Sequence, residues 1–193
     1  QRLNQHRAFI DAAAEAGLEN IVYLSFFKAA PDATFTLARD HWATEQHIIK
    51  SCIAYTFLRD NLYTDFLISM VGSDGVLRGP AADGRVASLT RADVARVAAA
   101  VLQDPAAHVG QAYDLTGPEA LTFDEIAQKA FVSFHKETIE EAYESRQAWK
   151  APQWQYDAWV STYTAVAAGE LVPVSDAVEQ ITGRPAESLR DFL

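Results

Sequence analysis

The chain has 193 residues, 49% of them hydrophobic and 22% charged, which is the composition of a soluble globular domain with a sizeable core. Its formal net charge of -10 disfavours nucleic acid and anionic membrane surfaces as partners, and no apolar run is long enough to span a bilayer. The single cysteine excludes an intrachain disulfide and, with no signal peptide visible, favours a cytoplasmic protein.

Helices and strands alternate through the first 130 residues. The predicted elements are, in chain order, helix 7–17, strand 21–25, a helix from 34 or 36 to 51, strand 54–59, helix 61–71, short strands at 76–77 and 86–88, helix 91–102, strand 112–115 and helix 123–130. Thr90 and Thr122 each precede a helix and have an acidic residue three positions later, which predicts a capped helix start. The alternation predicts an α/β fold, a doubly wound parallel sheet covered by helices.

The pattern becomes mainly helical after residue 130. A strand-like run at 131–134 is followed by predicted helices at 138–149, 154–168, 175–182 and 188–193. Two units are therefore predicted. Residues 1–130 form the sheet domain, with a hairpin insertion near 72–90, and residues 131–193 form a helix-rich cap or substrate subdomain.

Five stretches of the sequence match one family in order and in spacing. They are AGLENIVYLSF (16–26), ARDHWATEQHIIKSCIAYTFLRDNLYTDF (38–66), GVLRGPAADGRVASLTRADVARVAAAVL (75–102), YDLTGPEALTFDEIA (113–127) and TGRPAESLRDFL (182–193). Together they resemble the NmrA-like atypical short-chain dehydrogenases/reductases, and among these the type-2 NAD(P)H:quinone oxidoreductases. The resemblance implies a Rossmann-like domain, NADP or NAD as cofactor, and a quinone-like small molecule as substrate.

One feature of that family is missing from the sequence. Family members begin with a strand and a glycine-rich turn whose backbone amides hold the cofactor diphosphate. No G-x-G-x-x-G pattern occurs here, and the cluster Gly72, Gly75 and Gly79 lacks its spacing. The Rossmann-like domain is therefore predicted to be N-terminally incomplete.

The usual catalytic pair of short-chain dehydrogenases is also absent. That pair is a Tyr and a Lys four residues apart on one helix face, and the matching positions here are Leu37 and His41. Leu37 has no proton to exchange. The resemblance implies that His41 hydrogen-bonds the nicotinamide ribose or protonates the reduced substrate. The alternative is a histidine that lies on the surface or only packs.

Ser25 ends a predicted strand, at the edge of the sheet where open α/β folds bind ligands. We expect its hydroxyl to contact substrate or nicotinamide, unless it only bonds the backbone. Tyr23 and Leu24, on the same strand, are expected to supply packing and backbone contacts to the cofactor.

Polar side chains follow the next strand. The resemblance implies that Arg59, Asn61 and Tyr63 lie in a loop beneath the nicotinamide, with Asn61 bonding the carboxamide and Tyr63 stacking on a flat ring or donating a proton. The alternative is a polar turn after a strand.

Other side chains carry weaker signals. The aromatic residues between 149 and 163 are expected in the core or at a subunit interface, with a lid over a flat acceptor as the alternative. No cluster has metal-ligand spacing, so no metal site is predicted.

Two functions are compatible with these features. A quinone needs little acid catalysis, so an NAD(P)H-dependent quinone oxidoreductase tolerates loss of the Tyr–Lys pair, and His41, Ser25 and Tyr63 are its candidate catalytic residues. The alternative is a non-catalytic NAD(P)-sensing regulatory protein. A homodimer is the default expectation.

Overall fold

The computed structural model describes residues 2–193. The helices are α1 (Arg2–Glu15), α2 (Thr36–Lys50), α3 (Thr64–Ser69), α4 (Arg91–Gln103), α5 (Phe123–Lys129), α6 (Ile139–Arg146), α7 (Gln153–Ala167), α8 (Ala177–Thr182) and α9 (Leu189–Phe192). The strands are β1 (Asn20–Phe26), β2 (Ala54–Asp60), β3 (Val76–Gly79), β4 (Arg85–Val86), β5 (Gln111–Leu115), β6 (Leu121–Thr122) and β7 (Ser133–Lys136).

The main sheet consists of three parallel strands in the order β1-β2-β5. Phe26 is level with Asp60, and Asp60 is level with Leu115, so the three strands end together. Parallel strands joined by helices produce such an edge because every crossover returns the chain to the same end of the sheet. The predicted α/β fold with a doubly wound, Rossmann-like parallel sheet is confirmed.

Helices cover both faces of this sheet. On one face, Ile10 of α1 and Ile48 of α2 pack against Phe57 of β2. On the other face, Val97 of α4 and Val178 of α8 pack around Leu58 of β2. Adjacent residues of a strand point to opposite faces, so β2 is apolar on both sides, as expected of a buried parallel strand.

The predicted hairpin near residues 72–90 is wrong. β3 pairs in parallel with β7, and β4 pairs antiparallel with β6. The turn between β3 and β4 packs closely on α7, where a Cβ added at Gly79 would lie 2.2 Å from the Tyr163 ring and one at Gly84 would lie 2.1 Å from the Val166 carbonyl. Each of the two strands pairs with a segment more than 30 residues further along the chain. The division of the chain at residue 130 stays a prediction.

Two predicted helix starts are confirmed in atomic detail. The Thr90 hydroxyl accepts from the Asp93 amide at 3.1 Å, which caps α4. Thr122 and Glu125 form a reciprocal capping box at α5, with distances of 3.1 and 2.9 Å. Each cap satisfies backbone N–H groups that have no partner inside the helix.

Between residues 2 and 193, no helix has the length and apolarity needed to cross a membrane. The same residues hold no group of three or more His, Cys, Asp or Glu side chains arranged to bind a metal ion.

Substitution of Gly117, in the turn after β5, measures how tightly the edge of the sheet is packed. A Cβ added at Gly117 would lie 1.9 Å from the Ser88 carbonyl oxygen, whereas one added at Gly110 would meet no atom within 4 Å. We expect Gly117→Ala to lower the free energy of unfolding by about 3 kcal/mol or more, since backbone must move. Gly110→Ala should lower the free energy of unfolding by only about 1 kcal/mol, because the added Cβ meets no neighbour and disfavours only the positive φ of this residue. Urea unfolding measures both, and equal losses would contradict the packing described.

Candidate functional site

The carboxyl ends of the three parallel strands form one polar edge. The Phe27 amide donates to the Asp60 carbonyl at 2.8 Å, and the Asn61 amide donates to the Leu115 carbonyl at 3.0 Å. These bonds continue the sheet by one residue and fix the chain where it leaves β1 and β2. Open parallel sheets bind ligands at this edge.

Tyr23 and His41 are brought together on the α2 face of the sheet. The Tyr23 hydroxyl lies 2.8 Å from His41 Nδ1, and Arg2 Nη2 lies 2.8 Å from His41 Nε2. A guanidinium can only donate, so Nε2 accepts and the ring proton is assigned to Nδ1, which donates to Tyr23. Burial, and then the positive charge of Arg2, lower the pKa of His41 to about 3. His41 is therefore neutral at neutral pH, with both ring nitrogens engaged.

Ser25 and Arg59 share a partner that the sequence analysis missed. Glu45 of α2 is only 1% exposed, and it accepts from the Ser25 hydroxyl at 2.6 Å. Arg59 donates to the same carboxylate through Nε at 2.9 Å and through Nη2 at 2.7 Å. The hydrogen bond and the charge of Glu45 raise the pKa of Arg59. One feature of the sequence could have identified Glu45. It follows His41 by four residues, so both side chains lie on the same face of α2, the face that covers β1.

A second acidic group that sequence reasoning missed lies on the opposite face. The Tyr63 hydroxyl donates to Asp60, and the Arg91 guanidinium lies 4.9 Å from the centre of the Tyr63 ring. Burial raises the pKa of Asp60 to about 7, although the bond from Tyr63 opposes the shift. Burial and the neighbouring Asp60 charge raise the pKa of Tyr63. The pair therefore holds a proton that can be exchanged near neutral pH.

Asn61 and Leu24 take no part in either of these polar groups: Asn61 bonds only to backbone, and Leu24 is exposed. Asn61 is buried, and its amide group donates to the Leu171 carbonyl at 3.1 Å and accepts from the Leu62 amide at 2.8 Å. It thus ties the end of β2 to the segment after α7. Leu24 lies on β1 and is 46% exposed.

The predicted site residues thus fall into separate groups. Tyr23 with His41, and Ser25 with Arg59, lie between the sheet and α2. Tyr63 packs with the apolar cluster of the other face, around Leu58. Their roles in catalysis and in cofactor binding stay predictions.

The shared carboxylate of Glu45 predicts a hierarchy of stability effects. Glu45→Gln leaves the Arg59 charge without its partner, and we expect a loss of about 2–4 kcal/mol of unfolding free energy, discounted because Arg59 is partly exposed. Ser25→Ala removes one hydrogen bond and should cost about 1 kcal/mol. Urea unfolding of both variants decides the order, and a larger loss for Ser25→Ala would refute this account.

The raised pKa of Asp60 predicts a pH dependence. Between its ordinary value of 3.8 and about 7 the folded state holds a proton that the unfolded state releases, so this group makes the protein less stable as pH rises through that window. Asp60→Asn removes the effect. We expect the stability of Asp60→Asn relative to the parent protein to increase by about 2–4 kcal/mol between pH 4 and pH 8. Unfolding curves across this range measure it, and a constant difference would show that Asp60 has an ordinary pKa.

A family model described as NAD(P)H-binding matches residues 1–105. Quinone oxidoreductase 2 of Escherichia coli (strain K12) is 41% identical over 130 residues, which cover 66% of this chain and 45% of that protein. The matched part is therefore less than half of the length of that relative.

One further relative and one solved structure match the chain almost from end to end. NAD(P)H azoreductase of Xenophilus azovorans is 28% identical over 200 residues, covering 99% of this chain and 70% of that protein. The crystal structure of an NADPH-dependent quinone oxidoreductase from Escherichia coli, complexed with NADPH, superposes with a TM-score of 0.90 at 29% identity, covering 100% of this chain and 70% of that one. As its sequence stretches already indicated, the chain belongs to the NAD(P)H-binding family.

Proposed function

We propose that this chain forms the substrate-facing part of an NAD(P)H-dependent oxidoreductase that transfers a hydride to a quinone-like acceptor. The observation that carries the proposal is the Tyr63–Asp60 pair at the carboxyl end of the central strand, where a proton is held near neutral pH. Relatives named quinone oxidoreductase and azoreductase support an acceptor of the conjugated, easily reduced kind.

The described residues fit the nicotinamide end of the cofactor. Leu24, near the carboxyl end of β1, is exposed and offers an apolar wall to a flat ring. Residues 2–193 do not form the glycine-rich turn that would bind the diphosphate of the cofactor. Their glycine cluster, Gly72, Gly75 and Gly79, lies around β3 and does not open a helix.

In this proposal NAD(P)H, when bound, supplies the hydride, and the chain positions the acceptor and moves the proton. The proton comes from the Asp60 carboxyl group, which is partly protonated at neutral pH because its pKa is about 7, and it passes through the Tyr63 hydroxyl: Tyr63 gives its proton to the reduced oxygen as it takes the proton of Asp60. Solvent then reprotonates Asp60. Such an acceptor needs little acid catalysis, which agrees with Leu37 at the position of the usual tyrosine.

The residues under α2 act as positioning residues. His41 is neutral and bonded on both sides, so it orients Tyr23 and the strand that carries Leu24. Ser25 and Arg59 hold the ends of β1 and β2 together through Glu45, and Asn61 fixes the chain beyond β2. A cytoplasmic location and a homodimer remain predictions from the sequence.

The activity is tested with the purified protein, NADPH or NADH, and a benzoquinone. We expect the nicotinamide absorbance to fall, and Tyr63→Phe to slow turnover by roughly tenfold, less than the usual 10²–10⁴ for a general acid because quinones need little protonation. Tyr143→Phe is the matched control, since Tyr143 also donates to a carboxylate, Asp157, at 2.9 Å but lies far along the chain in α6.

Two results would contradict the proposal. Tight NADPH binding without loss of absorbance would instead indicate a nucleotide-sensing protein. An equal effect of Tyr63→Phe and Tyr143→Phe would remove Tyr63 from the catalytic machinery.

A further inference from the structure

A cavity of about 550 Å³ lies among α3, β3, α6 and α7. Four aromatic side chains contribute to its mainly apolar lining: Phe66, Trp149, Trp159 and Tyr163. Its volume is within the range of about 300–1,000 Å³ that is typical of small-molecule sites. The predicted site residues at the sheet edge are not part of its lining.

α7 separates this cavity from the start of α2. Trp159 and Tyr163 are one helical turn apart, and both line the cavity. Ser161 lies between them in sequence, and its hydroxyl accepts from the Thr36 amide at 3.1 Å. Positions two apart on a helix point in nearly opposite directions, so the cavity lies on the side of α7 that faces away from α2. The cavity is therefore separate from the residues under α2, and Tyr63 and Asp60 are not part of its lining.

A buried ion pair is part of the cavity wall. Arg146 and Glu137 are 6% and 7% exposed, and Arg146 Nη1 donates to Glu137 Oε2 at 2.9 Å. Within residues 2–193 the other side-chain bonds of Arg146, to the Ala142 carbonyl and the Ser145 hydroxyl, also use Nη1. Arg146 also approaches the Tyr163 hydroxyl, so at least two of the three N–H groups on Nε and Nη2, together with Oε1 of Glu137, are left for a ligand. Buried charged groups gain from filling such remaining positions.

The charge balance of the wall determines which ligand fits. Arg78 also lines the cavity, but it is paired with Asp74, and Arg146 is paired with Glu137. The two arginines are therefore neutralised, so a net anion gains little. A carboxylate beside a guanidinium instead matches a hydroxyl group, which donates to the first and accepts from the second. The surrounding aromatic rings match a flat ring system.

We propose that this cavity binds a planar phenol, with its hydroxyl between Glu137 and Arg146 and its rings against Trp149, Trp159 and Tyr163. Binding is reversible and requires no reaction. The Arg146 guanidinium lies 5.2 Å from the centre of the Tyr163 ring, which holds it at the polar end of the cavity.

Calorimetric titration of the protein without NAD(P)H tests the proposal separately from the oxidoreductase function. The probes are 2-naphthol, 2-methoxynaphthalene, which lacks the donor, and 2-naphthoate, which is an anion. We expect 2-naphthol to bind at least tenfold more tightly than either of the others. Equal affinities for naphthol and its methyl ether, or no binding of naphthol, would overturn the proposal.

Two tryptophans provide a matched pair of variants. Trp149 lines the cavity and is 67% exposed, whereas Trp154 is 60% exposed and lies outside the lining. Trp149→Ala should weaken 2-naphthol binding by roughly tenfold. Trp154→Ala should change it by less than about twofold. The same loss in both variants would show that naphthol binds nonspecifically to exposed indole rings.

Glu137→Gln tests the polar end of the cavity. This variant keeps the shape of the side chain but removes its negative charge, leaving Arg146 unneutralised. We expect the preference to reverse, with 2-naphthoate binding more tightly than 2-naphthol. An unchanged preference in the folded variant would overturn the proposed orientation, and if the variant does not fold, the tryptophan pair decides.

Discussion

The structure of the sheet edge depends on one buried carboxylate. Glu45 has almost no contact with water, and a charge in that position is tolerated only when hydrogen bonds and an opposite charge replace its hydration. Ser25 and Arg59 provide both, and they are direct neighbours across β1 and β2. A one-residue slip between the strands would turn one partner to the other face of the sheet. The need to neutralise Glu45 therefore fixes the strand register and the position of α2 together.

Burial also decides which side chain holds a proton at neutral pH. It disfavours the charged form of any group, so it moves a histidine and a carboxyl group in opposite directions. His41 becomes neutral, with a pKa of about 3, and Asp60 becomes partly protonated, with a pKa of about 7. Ordinary pKa values favour histidine as the proton donor, and for that reason the sequence directed attention to His41. In the folded chain Asp60 is better matched to proton transfer at neutral pH.

Local features could be predicted from the sequence, and distant pairings could not. The caps at Thr90 and Thr122 depend on residues within one helical turn, and the main strands depend on their own apolar runs. The partners of β3 and β4 are β7 and β6, which lie much further along the chain, and no local pattern in residues 72–90 points to them. Glu45 and Asp60 were missed because an acidic residue in a sequence is normally solvated. Only the packed structure shows that both are buried.

α7 and the segment after it connect the two sites. On one side, Ser161 contacts the start of α2, Glu170 accepts from Thr34, and the Leu171 carbonyl accepts from Asn61. On the other side, Trp159 and Tyr163 form the cavity wall. A packed helix moves as a unit because its neighbours leave few voids. The same rigid element therefore sets the end of β2 at the sheet edge and the width of the cavity, although none of the sheet-edge residues lines the cavity.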